Sequence, residues 1–312
     1  MIPNKNLLER PLSRLTRKPN RGSFQRPACV LIIIFLSSPG ISVAPAQTKA
    51  QQDKRQDPIS SAIAYYNSGV DLASQGQEQK ALVAFQKAAS LNPDFYEAHY
   101  NVGWVYVRLT RYSEAIAPLK RALQLKPNSK DALFHLGMAY YYLESHQEAI
   151  ETFRAVIRLE VDESKLYLPY LYVGEASHNL GRYQEAVSAL KQCIRIKPDS
   201  PHGHFYLGRS YASLNLYDES VSALKQAVKL KPDYADAYVA LGMDYVSMKR
   251  YEDALAGLKE AVRIEPQHAQ AHFFLGLTFW VMDDKRAALD EYRILKTIDQ
   301  KLANKLFDEI YK

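Results

Sequence analysis

Five prolines, Pro93, Pro127, Pro198, Pro232 and Pro266, fall 34, 71, 34 and 34 residues apart. A chain punctuated at one interval of this size is built from copies of a single supersecondary unit, stacked so that each covers its neighbour. The long interval holds a further copy in which Val161 stands in the place of proline, so it divides into 34 and 37, with the three extra residues near Ser164 to Leu166. Seven copies result, over 62–95, 96–129, 130–163, 167–200, 201–234, 235–268 and 269–302.

Within the copy 235–268, Tyr238, Leu241, Gly242 and Tyr245 keep the three-and-four spacing of one amphipathic helix. A polar break at Met248 to Arg250 follows, then Tyr251, Ala254, Leu258, Ala261 and Ile264 mark a second helix, which Pro266 ends because proline cannot continue the hydrogen-bond ladder. The unit is a helical hairpin, too short to be stable alone.

The position-specific pattern resembles the tetratricopeptide repeat. That family places Gly at position 8 of its 34-residue unit, and here Gly69, Gly103, Gly137, Gly174, Gly208, Gly242 and Gly276 stand there without exception. The small residue at position 20 is Ala81, Ala115, Ala149, Ala186, Ala254 and Ala288, with Ser220 the one departure. The resemblance implies an all-α fold, a right-handed α-solenoid of seven hairpins, with a capping helix over 303–312. Glycine at position 8 is expected to let the first helix approach its neighbour's backbone, and the small residue at 20 to do the same within the hairpin. A bulky residue in place of Gly242 should push two helices apart, whereas Lys249 is expected to tolerate change.

The departures from the pattern carry expectations of their own. The insertion and Pro169 make 161–169 the irregular joint of the array, across which the copies on either side can differ in orientation. Pro118, inside a second helix, should cost a hydrogen bond or bend that helix slightly. Leu302, Leu306, Phe307 and Ile310 suit a final helix that covers the end of the array, leaving Lys305, Asp308, Glu309 and Lys312 to water.

In this family, positions 2, 5, 9, 12 and 13 of the first helix line the concave side. Carried onto this sequence, the resemblance implies a partner-binding face made of Tyr66 and Val70; Tyr100, Trp104 and Arg108; Phe134, Met138, Tyr141 and Tyr142; Leu171, His178 and Asn179; Phe205 and Arg209; Val239 and Met243; and Phe273, Leu277 and Trp280. Aromatic residues and arginine are the types that dominate binding energy at protein interfaces. Some of them, those at position 12 above all, have a packing role as the alternative. Tyr66, Val70 and Tyr100 stand where family members that hold a partner's C-terminal carboxylate use paired Lys and Asn, so that clamp is missing. A helix or an extended apolar segment is the expected cargo.

The formal charge of +6 is confined to the start of the chain. Lys5, Arg10, Arg14, Arg17, Lys18, Arg21 and Arg26 face the single acid Glu9, and the remaining 33 basic residues are matched by 33 acidic ones. A neutral body argues against nucleic acid as the partner. The basic stretch precedes the apolar run Ala28 to Leu36 and then Ala44-Pro45-Ala46, the order of an export signal cleaved after Ala46. The run is about half the roughly 20 apolar residues that span a bilayer. The expected location is periplasmic or secreted. The alternative is a retained anchor, and only then would the chain contact a membrane. Residues 47–61 read as a polar linker leading into the first helix, with Asp57-Pro58 as its start signal.

Catalytic signatures are missing: no Gly-rich phosphate loop, nucleophile elbow or HExxH motif occurs. His268 and His272 are spaced as metal ligands, but a hairpin boundary separates them, and His272, like His99 and His204, fills the aromatic slot at position 4. Cys193 occupies a small-residue slot and reads as a buried apolar residue. No cofactor or metal is expected. The leading reading is a non-enzymatic scaffold for other proteins, with a membrane-tethered structural module and an enzyme of unrecognised site as the alternatives.

Overall fold

The computed structural model describes residues 57–311, so the leader and most of the linker lie outside it. Among the described residues there are fifteen α-helices, one 3-10 turn and no strand. They form two compact units, the first ending at Thr110 and the second beginning at Arg111.

The first unit holds α1 (Pro58–Ser74), α2 (Glu78–Leu91) and α3 (Tyr96–Arg108). Asp57 caps α1 as the sequence suggests, its carboxylate accepting from the Ile59 N–H at 3.3 Å. Ala81, Leu82, Phe85, Val102 and Val105 make the core.

The second unit begins with α4 (Tyr112–Leu125), which continues through Pro118; the missing N–H there leaves the carbonyl one turn back without its ladder partner. Four hairpins follow: α5 (Lys130–Tyr142) with α6 (His146–Leu159), α7 (Tyr167–Asn179) with α8 (Tyr183–Ile196), α9 (Pro201–Ser213) with α10 (Tyr217–Leu230), and α11 (Ala235–Ser247) with α12 (Tyr251–Ile264). The last hairpin is α13 (Ala269–Val281) and α14 (Lys285–Ile298), closed by α15 (Gln300–Tyr311). Successive first helices touch one another, α5 on α7, α7 on α9, α9 on α11 and α11 on α13, whereas the second helices α6, α8, α10 and α12 each meet the first helices on either side of them. The first helices are therefore the inner row of this unit, the side on which the stack is closed up.

The irregular segment is shorter than the expected 161–169: it spans 160–166, and α7 already runs from Tyr167 and takes Pro169 into its first turn. A 3-10 turn, Glu163–Lys165, fills the insertion, and Val161, in the slot of the absent proline, is 95% exposed. Glu160 closes the repeat instead, its Oε1 accepting from the Val161 and Asp162 N–H groups at 3.1 Å each and from Lys130 Nζ at 2.9 Å.

Two expectations change, and a third gains a physical reason. A Cβ on Gly242 would lie 2.4 Å from Leu258 Cγ, so this glycine makes room for a side chain of its own hairpin rather than for a neighbour's backbone. In the last hairpin the same space is filled from α15, where Leu306 Cδ2 lies 2.4 Å from a Cβ on Gly276. That cap buries Ala303, Leu306 and Ile310 but leaves Phe307 exposed, because the ring turns outward onto Tyr292 and Tyr311.

Lys249 is the third. It lies at φ 59°, and so do its counterparts at the same repeat position: Gly76 and Gly181 at 73°, Thr110 at 57°, Glu144 at 59°, Asn215 at 60° and Asp283 at 63°. Each ends a first helix in a left-handed turn; the Arg250 N–H reaches back to the Tyr245 carbonyl at 2.8 Å and the Lys249 N–H to Val246 at 3.0 Å. Six residue types hold this backbone across the seven copies, so the tolerance expected at Lys249 stands, at a small backbone cost for every residue but glycine.

Candidate functional site

In the first unit, Tyr66 is half-buried between Phe85 and Phe95, and Tyr100 lies parallel to Tyr96 at 6.0 Å. Arg108 rests over the Trp104 ring at 5.1 Å and is tied to Glu78, at the start of α2, by its Nε at 2.7 Å and by a second, shorter contact from Nη2. Its charge is already answered.

In the second unit the expected face separates into buried and open residues. Met138, Leu171, His178 and Phe205 are buried, and so is Val239. Leu171 packs into the core with Ala186, Leu190 and Leu207, and Phe205 meets Tyr234 at 4.8 Å, so each is covered by its own hairpin or the next. These residues position the face without presenting it. Phe134 lies edge-on to Phe153, and Tyr142 stacks on Tyr112 at 4.6 Å. Phe273, Leu277 and Trp280 are half-buried against the terminal core, with Lys285 over the Trp280 ring at 5.3 Å. Asn179, Arg209 and Met243 are exposed.

At the centre of the row is a polar group that the sequence reading passed over. Glu175 stands at position 9 of its repeat, buried, and accepts from the Tyr141 hydroxyl at 2.5 Å. Burial raises its carboxyl to about 7, with the Tyr141 hydrogen bond pulling the other way. The residue type was the signal: a lone acid at an inner position, flanked by aromatics. Asp236, at position 2, was missed likewise; it accepts from His268 Nε2 at 3.1 Å, which holds its carboxyl below the usual range.

Hydrogen-bond valence fixes several protons. Ser210 donates to the Tyr206 carbonyl at 2.7 Å, so at 3.1 Å from it His178 Nδ1 must be the donor. Burial, then the Arg209 charge, lowers His178 to about 4 and keeps the ring neutral. Ser220 lies 2.7 Å from the Gly208 carbonyl and 2.5 Å from Asp244 Oδ2, yet has one proton for two acceptors. Both contacts are satisfied when Asp244 carries a proton, and burial raises that carboxyl to about 6. The departure of Ser220 from alanine thus serves a buried acid in the next repeat.

The histidines considered as metal ligands have protein partners. His272 bonds Glu291 through Nδ1 at 2.6 Å and the Pro266 carbonyl through Nε2 at 3.0 Å, two acceptors that call for an imidazolium; Glu291 raises its pKa. His99 and His204 reach the carbonyls of Pro93 and Pro198 at 3.0 Å, so position 4 histidines fasten each repeat to the proline before it. Cys193 is buried, and burial pushes its thiol up to about 12. Away from the inner row, Ile194, His204, Tyr211, Asp218 and Gln226 surround an open hollow between α8, α9 and α10.

Family models match along the chain: "Anaphase-promoting complex, cyclosome, subunit 3" over 74–156, and tetratricopeptide repeat models over 170–200, 208–243 and 239–303. No curated protein matches the sequence. Among solved structures, YrrB, "a TPR protein with an unusual peptide-binding site", is 24% identical with a TM-score of 0.52, over 60% of this chain and 95% of its own. Cut9-Hcn1, an APC/C hetero-tetramer, is 18% identical with a TM-score of 0.60, over 84% of this chain and 50% of the other. MamA of Desulfovibrio magneticus RS-1 is 20% identical with a TM-score of 0.52, over 55% and 96%. At these identities the likeness is one of fold. The chain belongs to the tetratricopeptide-repeat family, whose arrays are scaffolds for protein–protein interaction.

Proposed function

We propose that this protein is an exported, non-catalytic scaffold that holds a helical or extended segment of another protein on its inner row of first helices, in the assembly of a cell-envelope complex. The carrying observation is that Arg209 and Met243 stay open on that row, which also holds half-buried Tyr142 and Trp280, while five others of the same set are packed away. Exposed aromatic, methionine and arginine surface of this kind is what interfaces use. Export rests on the order of basic, apolar and small residues in the leader. No described helix is long and apolar enough to cross a membrane.

Photo-crosslinking in producing cells tests the surface. A reactive residue at Trp280 should give a discrete adduct that disappears with Met243→Arg; adducts indifferent to that change would refute the inner row. The long basic stretch ahead of Ala28 favours a second reading, a retained anchor. N-terminal sequencing separates the two: a mature start near Gln47 removes the anchor, and an intact leader in the membrane fraction supports it.

A further inference from the structure

The three neighbouring helices α7, α9 and α11 hold one lysine or arginine between them, Arg209, and three acids, Glu175, Asp236 and Asp244. Every acid is engaged: Glu175 by the Tyr141 hydroxyl, Asp236 by His268 and Asp244 by Ser220. Among the described residues Arg209 closes no ion pair; Asp236, bonded to His268, is the acid that feels its charge, which helps to hold that carboxyl down. The Arg209 guanidinium is held instead over the rings of Phe205 at 5.7 Å and Tyr206 at 6.0 Å, and its side chain is exposed. A planar cation laid on two aromatic faces keeps its edge N–H donors free, in the geometry that takes a carboxylate. Beside it on α11 is Met243, 40% exposed, at the same repeat position.

We propose that Arg209 is the anchor for an aspartate or glutamate in the partner segment, with an apolar partner residue seated on Met243. The inference rests on the inner-row reading above and adds the chemistry of its occupant. Charge speaks against the chain's own N-terminal stretch as that occupant, because its seven basic residues would face Arg209 with one acid. A phosphate backbone is disfavoured too, since a lone arginine on a neutral body supplies little of the electrostatic attraction such binding needs. Packed helices lie about 8–10 Å apart, so the acid and the apolar residue should be spaced by about three residues in an extended segment and about six or seven on a helix.

The probe is a random peptide library displayed on phage, selected against the whole immobilised chain. The expected peptides carry Asp or Glu at one of those spacings from an apolar residue and lose binding with Met243→Arg. Arg209→Gln should weaken them about tenfold or more, the worth of a charged hydrogen bond, and reselection on Arg209→Glu should return Lys or Arg at the same place. Peptides that need Met243 but are indifferent to charge at 209 would overturn this inference and leave the inner-row reading standing. Peptides indifferent to both positions, or none retained, would overturn both. Far-ultraviolet circular dichroism should show the same helix content in every variant, as expected for exposed side chains.

Discussion

Arg108 and Arg209 make a matched pair. Each lies on a first helix and over aromatic rings, Trp104 for one and Phe205 and Tyr206 for the other. The difference is what begins the preceding second helix: Glu78 opens α2 and closes an ion pair with Arg108, whereas Tyr183 opens α8 and brings no charge to Arg209. Ring stacking orients a guanidinium; a single acid decides whether its charge remains available. The second unit also draws its acids inward, into contacts with hydroxyl groups, and so spends its carboxylates on its own packing.

That inward turn has a consequence in pH. A buried acid whose folded pKa is raised contributes stability that is complete below its unfolded pKa and is lost as pH rises through the folded value. For Glu175 the window runs from about 4.5 to about 7, and for Asp244 from about 4 to about 6. His268 and His272, raised by Asp236 and Glu291, lose stability in the same direction above 6.5. His178, lowered to about 4, acts oppositely, losing stability as pH falls below 6.5. From about pH 5 upward the two acids outweigh His178, so urea unfolding should show stability falling from pH 5 to pH 8, the two acids together costing on the order of 4 kcal/mol over that range. Glu175→Gln should remove the larger part of that slope. An unchanged slope in this variant would show that Glu175 is not the proton-binding group.

A smaller effect separates the two units directly. Tyr141→Phe deletes the donor to a buried carboxylate and should cost about 2 kcal/mol at pH 8, less at pH 5 where the acid is protonated. Glu78→Gln breaks a pair whose members keep 26% and 20% of their side-chain surface in water, and should cost less than about 1 kcal/mol. It should also leave Arg108 as open as Arg209. Equal costs for the two variants, measured by urea titration, would erase the distinction between them.

The fold was legible because it repeats. Prolines, glycines and small residues recur in phase, and the helices α3, α5, α7, α9, α11 and α13 begin at the residues where the copies begin. The face was legible only as a set of positions. Whether a residue on it is open depends on the size of what the next repeat brings against it: Phe205 is covered by Tyr234, while Met243 is not covered. Glu175 and Asp236 share the inner register with the aromatics, but an acid in a repeat usually marks a solvated face, and their partners Tyr141 and His268 lie about one repeat length away in sequence. Ser220 was visible as a departure, but its reason, Asp244, lies one repeat on. The cap was harder still, since Leu306 fills a space that belongs, in the other copies, to the second helix of the hairpin itself.

The smallest predicted effects lie in the turns, where both units share one backbone and differ in what occupies it. Thr110 holds φ 57° with a β-branched side chain, and Lys249 holds 59° with an unbranched one, at a position where Gly76 and Gly181 fit without strain. The left-handed conformation costs an L-residue roughly 1–2 kcal/mol, most where the side chain branches at Cβ, and glycine returns part of that gain as unfolded-state entropy. Thr110→Gly should therefore stabilise the protein by about 1 kcal/mol and Lys249→Gly by about 0.5 kcal/mol, read as shifts of the urea midpoint at constant m. Lys249→Val should destabilise it by a similar small amount. If the two glycine variants gain equally, side-chain branching is irrelevant at these caps, and the turn geometry alone sets the cost in both units.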